Sequence, residues 1–126
     1  MDRYCTQMNT SDNHDEQSSA VKLASGSYDL IQKDLGIADE LDFDPGEDPF
    51  GQLHAFLTPR IQHLLDHDFG YLINAMYRID ISEEVLKEIL EHSKPGQIAS
   101  DIAERVIARE KMKMKTRMMY SGNKKM

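Results

Sequence analysis

Cysteine occurs once in this chain, at position 5, and tryptophan not at all. A single cysteine excludes an intramolecular disulfide and any cysteine-based zinc cluster, and one unpaired thiol near a polar terminus fits a reducing compartment. No apolar stretch approaches the roughly 20 residues needed to span a bilayer. The opening residues, MDRYCTQMNTSDNHDEQ, hold no apolar run of the kind a signal peptide requires. The expectation is a cytoplasmic protein with no membrane partner. No segment alternates apolar and polar residues as a strand would, and no internal repeat occurs, so glycine-rich phosphate loops that follow a strand are excluded as well. Basic residues are scarce over residues 1–104, where 7 Lys/Arg face 21 Asp/Glu, a balance of −14. Residues 105–126 reverse it: 8 Lys/Arg against Glu110 alone, a balance of +7. That polarity says more about partners than the net charge of −7.

The apolar residues are spaced for helices. In FGQLHAFLTPRIQHLLDHD, residues 50–68, Leu53, Phe56, Leu57, Ile61, Leu64 and Leu65 recur at helical spacing. Pro59 interrupts them, either kinking one helix or opening a second that Thr58 caps. Asp68 has the character of an N-cap for FGYLINAMYRI, with Leu72, Ile73, Met76 and Tyr77 as its packing side. In DISEEVLKEILEHS, Asp80 and Glu83 stand at capping-box spacing, and Val85, Leu86, Ile89 and Leu90 form the apolar face. Lys94-Pro95-Gly96 breaks the chain. A long helix follows from about Gln97, with Ala99, Ile102, Ala103, Val106 and Ile107 turned inward.

This spacing predicts an all-α fold, a small bundle of about four helices. The helical domain covers residues 49–118, and residues 119–126 form a flexible basic tail. Residues 1–48 read as a largely disordered acidic arm. Its first 19 positions are polar and aperiodic, too poor in apolar surface to offset ordering entropy. Within it, SYDLIQKDL allows a short helix over 27–35, capped by Ser27 and stopped by Gly36. Residues 39–49 then hold six acids and two prolines. A helical core this small, without a disulfide or metal staple, would gain from self-association.

Several constellations invite a chemical reading. His63 and His67, in HLLDHD, are four apart and resemble an inverted zinc-protease motif, which would make a metal-dependent hydrolase. A catalytic zinc needs a third protein ligand and a base that reaches its water. Here Asp66 stands where the motif has Glu, and Asp68 with Gly70 signals that the helix ends at about His67. A histidine in a last helical turn has a simpler role, its charged form favoured by the helix dipole. DFDPGED fails the calcium-loop pattern in both registers, because neither places Gly at the sixth position and Glu at the twelfth. A helix-turn-helix would present Gln97, Ser100, Asp101 and Glu104 to DNA, and two acids at the leading end oppose that. No catalytic set, metal site or cofactor is expected, and the protein reads as not an enzyme.

The run ERVIAREKMKMKTRMMYSGNKKM carries the remaining signal. Arg105, Arg109, Lys113 and Arg117 are spaced by four, Lys111 and Lys115 widen the stripe, and Met114 and Met118 continue an apolar line from Ala103 and Ile107. Adaptable methionines beside cations suit a protein-binding surface. The first expectation is therefore a non-catalytic interaction or regulatory protein. An unidentified protein, or a second copy of the chain, would bind through Arg105, Arg109, Lys111, Lys113, Met114, Lys115, Arg117 and Met118. Lys/Arg clustering equally suits phosphates, so a nucleic-acid-associated protein is the alternative. The acids of 39–48 are expected to fold back on this basic face and mask it.

LLDHDFGYLINAMYRIDISEEVLKEIL, continued by IASDIAERVIAREKMKMKTR, resembles a group of short bacterial helical proteins with no assigned activity. The shared pattern is a His-Asp-Phe joint, a Tyr-Arg-Ile-Asp joint and a basic final helix, over roughly residues 53–117. The resemblance implies a helical fold and carries no site residues.

Overall fold

A computed structural model describes residues 20–124, with side-chain surroundings as far as residue 119. Residues 1–19, with Cys5 and the polar stretch expected to be disordered, lie outside the described residues, as do residues 125 and 126. All regular structure among the described residues is helical. The helices are α1 (20–35), α2 (Pro49–His67), α3 (Phe69–Ile79), α4 (Glu83–His92) and α5 (Ile98–Lys124). There are five rather than about four.

The additional helix is α1, which is already formed at residue 20, well ahead of the short helix expected over 27–35. Ala24, Tyr28, Ile31 and Leu35 follow one another at intervals of four, three and four, and all are buried. Ser27 is no cap. It sits inside the helix, buried, with a hydroxyl that has no hydrogen-bond partner. Gly36 does stop the helix, at φ +66, and Ile37 N–H returns to the Gln32 carbonyl at 3.1 Å, a Schellman closure.

The acidic stretch after α1 lies against the bundle. Leu41 and Phe43 pack on the core, while Asp42 and Asp44 between and beside them face solvent. The Tyr28 hydroxyl donates to the Asp39 carbonyl at 2.6 Å and accepts from Leu41 N–H at 3.1 Å. Its ring meets Phe43 and Phe56 edge-on at 6.4 and 5.6 Å. Farther on, the Gln52 amide accepts from Asp44 N–H at 2.6 Å and donates to the Asp44 carbonyl at 3.0 Å.

Asp48 caps α2 by accepting from Phe50 N–H at 3.2 Å, with Pro49 in the first turn. Leu53, Leu57 and Ile61 are its buried spine. Pro59 lies inside this one continuous helix. The turn before it has side-chain donors: Thr58 Oγ1 to the His54 carbonyl at 2.7 Å, and the Arg60 guanidinium to the Phe56 carbonyl at 2.6 Å. Asp68 closes α2 through its N–H to the Leu64 carbonyl at 2.8 Å, and its carboxylate opens α3 by accepting from Tyr71 N–H at 3.1 Å. The break expected at His67 is therefore present.

The α3–α4 joint corrects one expectation. Ser82, not Asp80, caps α4, accepting from Val85 N–H at 3.3 Å. Asp80 instead ends α3 in the left-handed conformation, φ 71 and ψ 45. Gly96, at φ +83, turns the chain into α5. There Ala99, Ile102, Ala103, Val106 and Ile107 are all buried, as their spacing predicts. At 1.5 Å per residue the 27 residues of α5 span about 40 Å, against about 28 Å for the 19 of α2, its main neighbour. The last helix therefore outruns the bundle. No helix among the described residues is long and apolar enough to cross a membrane.

Candidate functional site

The eight residues singled out on α5 do not form one surface. Residues spaced by four advance about 40° around a helix at each step, so Arg105 and Arg117 stand about 120° apart. The stripe winds from the α4 side of α5 to the α1 side, and the fold uses its middle. Arg109 Nη2 lies 2.6 Å from Asp80 Oδ2 at the α3–α4 joint. Lys113 Nζ donates to the Arg78 carbonyl at 3.3 Å and stands 3.1 Å from Glu110 Oε1 and 3.9 Å from Asp34 Oδ2. Lys111 Nζ sits 4.3 Å from the centre of the Phe50 ring, a cation–π contact. Met114 packs against Gly26 so closely that a Cβ there would lie 2.7 Å from its sulfur. Arg105, Lys115, Arg117 and Met118 remain exposed.

Between α1 and α5 this leaves a small buried polar cluster. Glu110 is 0% exposed, and neither carboxylate oxygen accepts a hydrogen bond of good geometry. Burial, with the Asp34 carboxyl beside it, pushes the Glu110 pKa up to about 7, against the opposing pull of the Lys113 ammonium. Two carboxyls share one ammonium here, so a proton on Glu110 brings the cluster to neutrality. Among the described residues, the acids that meet the α5 cations are thus Asp34, Asp80 and Glu110. None belongs to the 39–48 run expected to mask them, and the ion pair of that run is Asp39 with Arg60, at 2.7 Å.

A different set of α5 residues shares a face. Arg105, Ala108, Met112, Lys115 and Met119 follow at intervals of three, four, three and four, which keeps them within a sector of about 80°. All five are exposed, Met112 by 60% and Met119 by 68%. Ala108, Met112 and Met119 were missed by reading the cations first, although the same three-four spacing was open to inspection. Beside Arg105, Ala108 and Met112, α4 and α5 frame a trough. Two hollows of about 520 and 400 Å³ share Val85, Arg105 and Ala108; the first continues to Ile89, Glu88 and Glu104, the second to Ile81 and Met112.

The other constellations resolve locally. His63 and His67 meet with their rings tilted by 43° and 4.6 Å between ring centres, on an exposed side of α2. Among the described residues no group of three or more His, Cys, Asp or Glu is placed to hold a metal. At the leading end of α5, His54 Nε2 lies 3.1 Å from both Oγ and the carbonyl oxygen of Ser100, tying α2 to α5. Ser93 Oγ donates to Asp101 at 2.5 Å.

No family model, curated protein or solved structure matches the chain, so the reading of this surface rests on its geometry.

Proposed function

We propose that this is a small non-catalytic interaction or regulatory protein that binds a protein partner through the exposed face of α5, in a reducing, cytoplasmic setting. One observation carries the reading. Ala99, Ile102, Ala103, Val106 and Ile107 of α5 are buried, yet Met112, Met118 and Met119 stand in solvent beside Lys115 and Arg117. Flexible thioethers next to cations suit a surface that adapts to a partner. Nucleic acid is the weaker alternative, because Arg109, Lys111 and Lys113 already have partners inside the fold. The test is capture of partners from a lysate by the full chain, with and without nuclease. The comparison is a variant carrying Lys115→Ala, Arg117→Ala, Met118→Ala and Met119→Ala. A protein retained after nuclease and lost with the variant supports the proposal. A signal abolished by nuclease and steeply salt-dependent points to phosphate binding instead.

A further inference from the structure

We infer that the trough between α4 and α5 docks an acidic amphipathic helix of a partner protein, lying along the stripe Arg105–Ala108–Met112–Lys115–Met119. This rests on the proposal above and specifies which face of α5 binds and what it recognises.

Three features argue for a helix as the occupant. The stripe has the three-four spacing that meshes with another helix, and from Arg105 to Met119 it runs about 21 Å, which an 18-residue helix covers in full. Val85 and Ile89 of α4, both half-buried, supply a second apolar wall, which makes a groove of what would otherwise be a convex surface. At the centre Ala108 is small and exposed, so a partner helix can approach the α5 backbone there. Apolar anchors at i, i+3, i+4 and i+7 are the usual reading of such a groove.

Charge selects the partner. Arg105 and Lys115 form no ion pair among the described residues, and Arg109 shares its edge of the trough with Asp80. The opposite end carries Glu88 and Glu104, with Asp101 already bonded to Ser93. A ligand with acids over the Arg105–Lys115 half is attracted, and one with acids over the other half is repelled. A second copy of the chain does not fit: an antiparallel pair of these stripes that sets Ala108 against Met112 also sets Arg105 against Lys115. A phosphate backbone, negative throughout, would meet Glu88 and Glu104.

The experiment is a displayed library of 18-residue helical peptides, apolar at i, i+3, i+4 and i+7 and random elsewhere, selected on the full chain. Enriched peptides should carry acids clustered toward one end. Ala108→Glu should weaken the best of them about tenfold or more, equivalent to about 1.4 kcal/mol. His63→Ala with His67→Ala, on an exposed side of α2, should leave affinity within about twofold, and Arg117→Ala with Met118→Ala probes the rest of α5. Position 108 is exposed, so the variant should keep its fold, which circular dichroism checks. Enrichment of neutral or basic peptides, or indifference to Ala108→Glu, overturns the trough. If peptides are lost with the Arg117/Met118 variant and kept by Ala108→Glu, the trough falls while partner binding by α5 stands. If nothing is enriched, the trough falls, and the lysate experiment decides the wider reading alone.

Discussion

Glu110→Gln should make the protein more stable at pH 8 and leave it nearly unchanged at pH 5. Glu110 is fully buried between α1 and α5, with Asp34 and Lys113 as its charged neighbours. Its pKa rises from 4.5 to about 7, chiefly through burial. A carboxyl whose folded pKa is raised binds its proton more tightly in the native state than in the unfolded chain. Stability is then highest below about pH 4.5 as far as this group is concerned, declines as pH rises toward 7, and levels off above it. At about 1.4 kcal/mol per pKa unit the loss is about 3 kcal/mol. Glutamine keeps the shape and stays neutral at every pH, while Lys113 keeps Asp34 and the Arg78 carbonyl as partners.

The measurement is urea unfolding of both proteins at several values between pH 5 and 8. Every other titratable group is common to both proteins and cancels in the difference. The stability difference should open by about 2–3 kcal/mol across the window, or ~10 °C in midpoint for a domain of this size. Parallel curves would show that Glu110 titrates as an ordinary carboxylate. A variant weaker than wild type at pH 8 would show that the ionised Glu110–Lys113 pair stabilises the fold outright, as truncating one partner of a buried pair can reveal.

Ile31→Ala should cost about 2–4 kcal/mol by denaturant unfolding, because its side chain is fully buried in the common core; a loss below about 0.5 kcal/mol would mean that α1 is dispensable. Gly36→Ala should cost about 1–2 kcal/mol, since φ there is +66 and the Tyr71 hydroxyl occupies the space of a Cβ; equal stability would refute that close approach. His63→Ala with His67→Ala should shift stability by no more than about 0.5 kcal/mol, as at other exposed surface positions. Elemental analysis of the purified protein should find no stoichiometric zinc, and a one-to-one content lost in the double variant would restore the metal reading.

Helices α2 to α5 were legible because their buried residues repeat at helical intervals with caps or breakers between them. Asp68 serving two helices at once, and the inward set Ala99 to Ile107, were both readable from the chain. Only the second half of α1, residues 27–35, was legible as helix, for a physical reason. Its buried stripe contains Ala24 and the amphipathic Tyr28 beside Ser27 and Gly26, residues that read as polar or breaking until α5 supplies a partner surface. Leu41 and Phe43 alternate with acids over too short a span to register as structure, and Tyr28 is what fixes them. Asp80 misled because its spacing to Glu83 suits a cap, whereas Ser82 holds the extended geometry that a cap requires. The site was half legible. The cations announce α5, but which of them point outward depends on where Asp34, Asp80 and Phe50 arrive from elsewhere in the chain.

That division of the cations gives salt a selective effect. The Lys113 ammonium is 25% exposed and its carboxylate neighbours 0% and 16%, so added ions reach this cluster poorly. Arg105 and Lys115 are exposed and work through solvent, where the screening length falls from about 8 Å at physiological ionic strength to about 3 Å at 1 M. Raising salt over that range should lower affinity for an acidic helical ligand severalfold. It should leave the stability difference between wild type and Glu110→Gln at pH 8 within about 0.5 kcal/mol of its low-salt value. Exposed pairs such as Arg109–Asp80 are worth only about 0–1 kcal/mol each, so their screening moves overall stability little. If the Glu110→Gln difference collapsed in step with ligand affinity, the cluster would be open to solvent, and the separation of α5 into an inner, structural side and an outer, recognising side would fail.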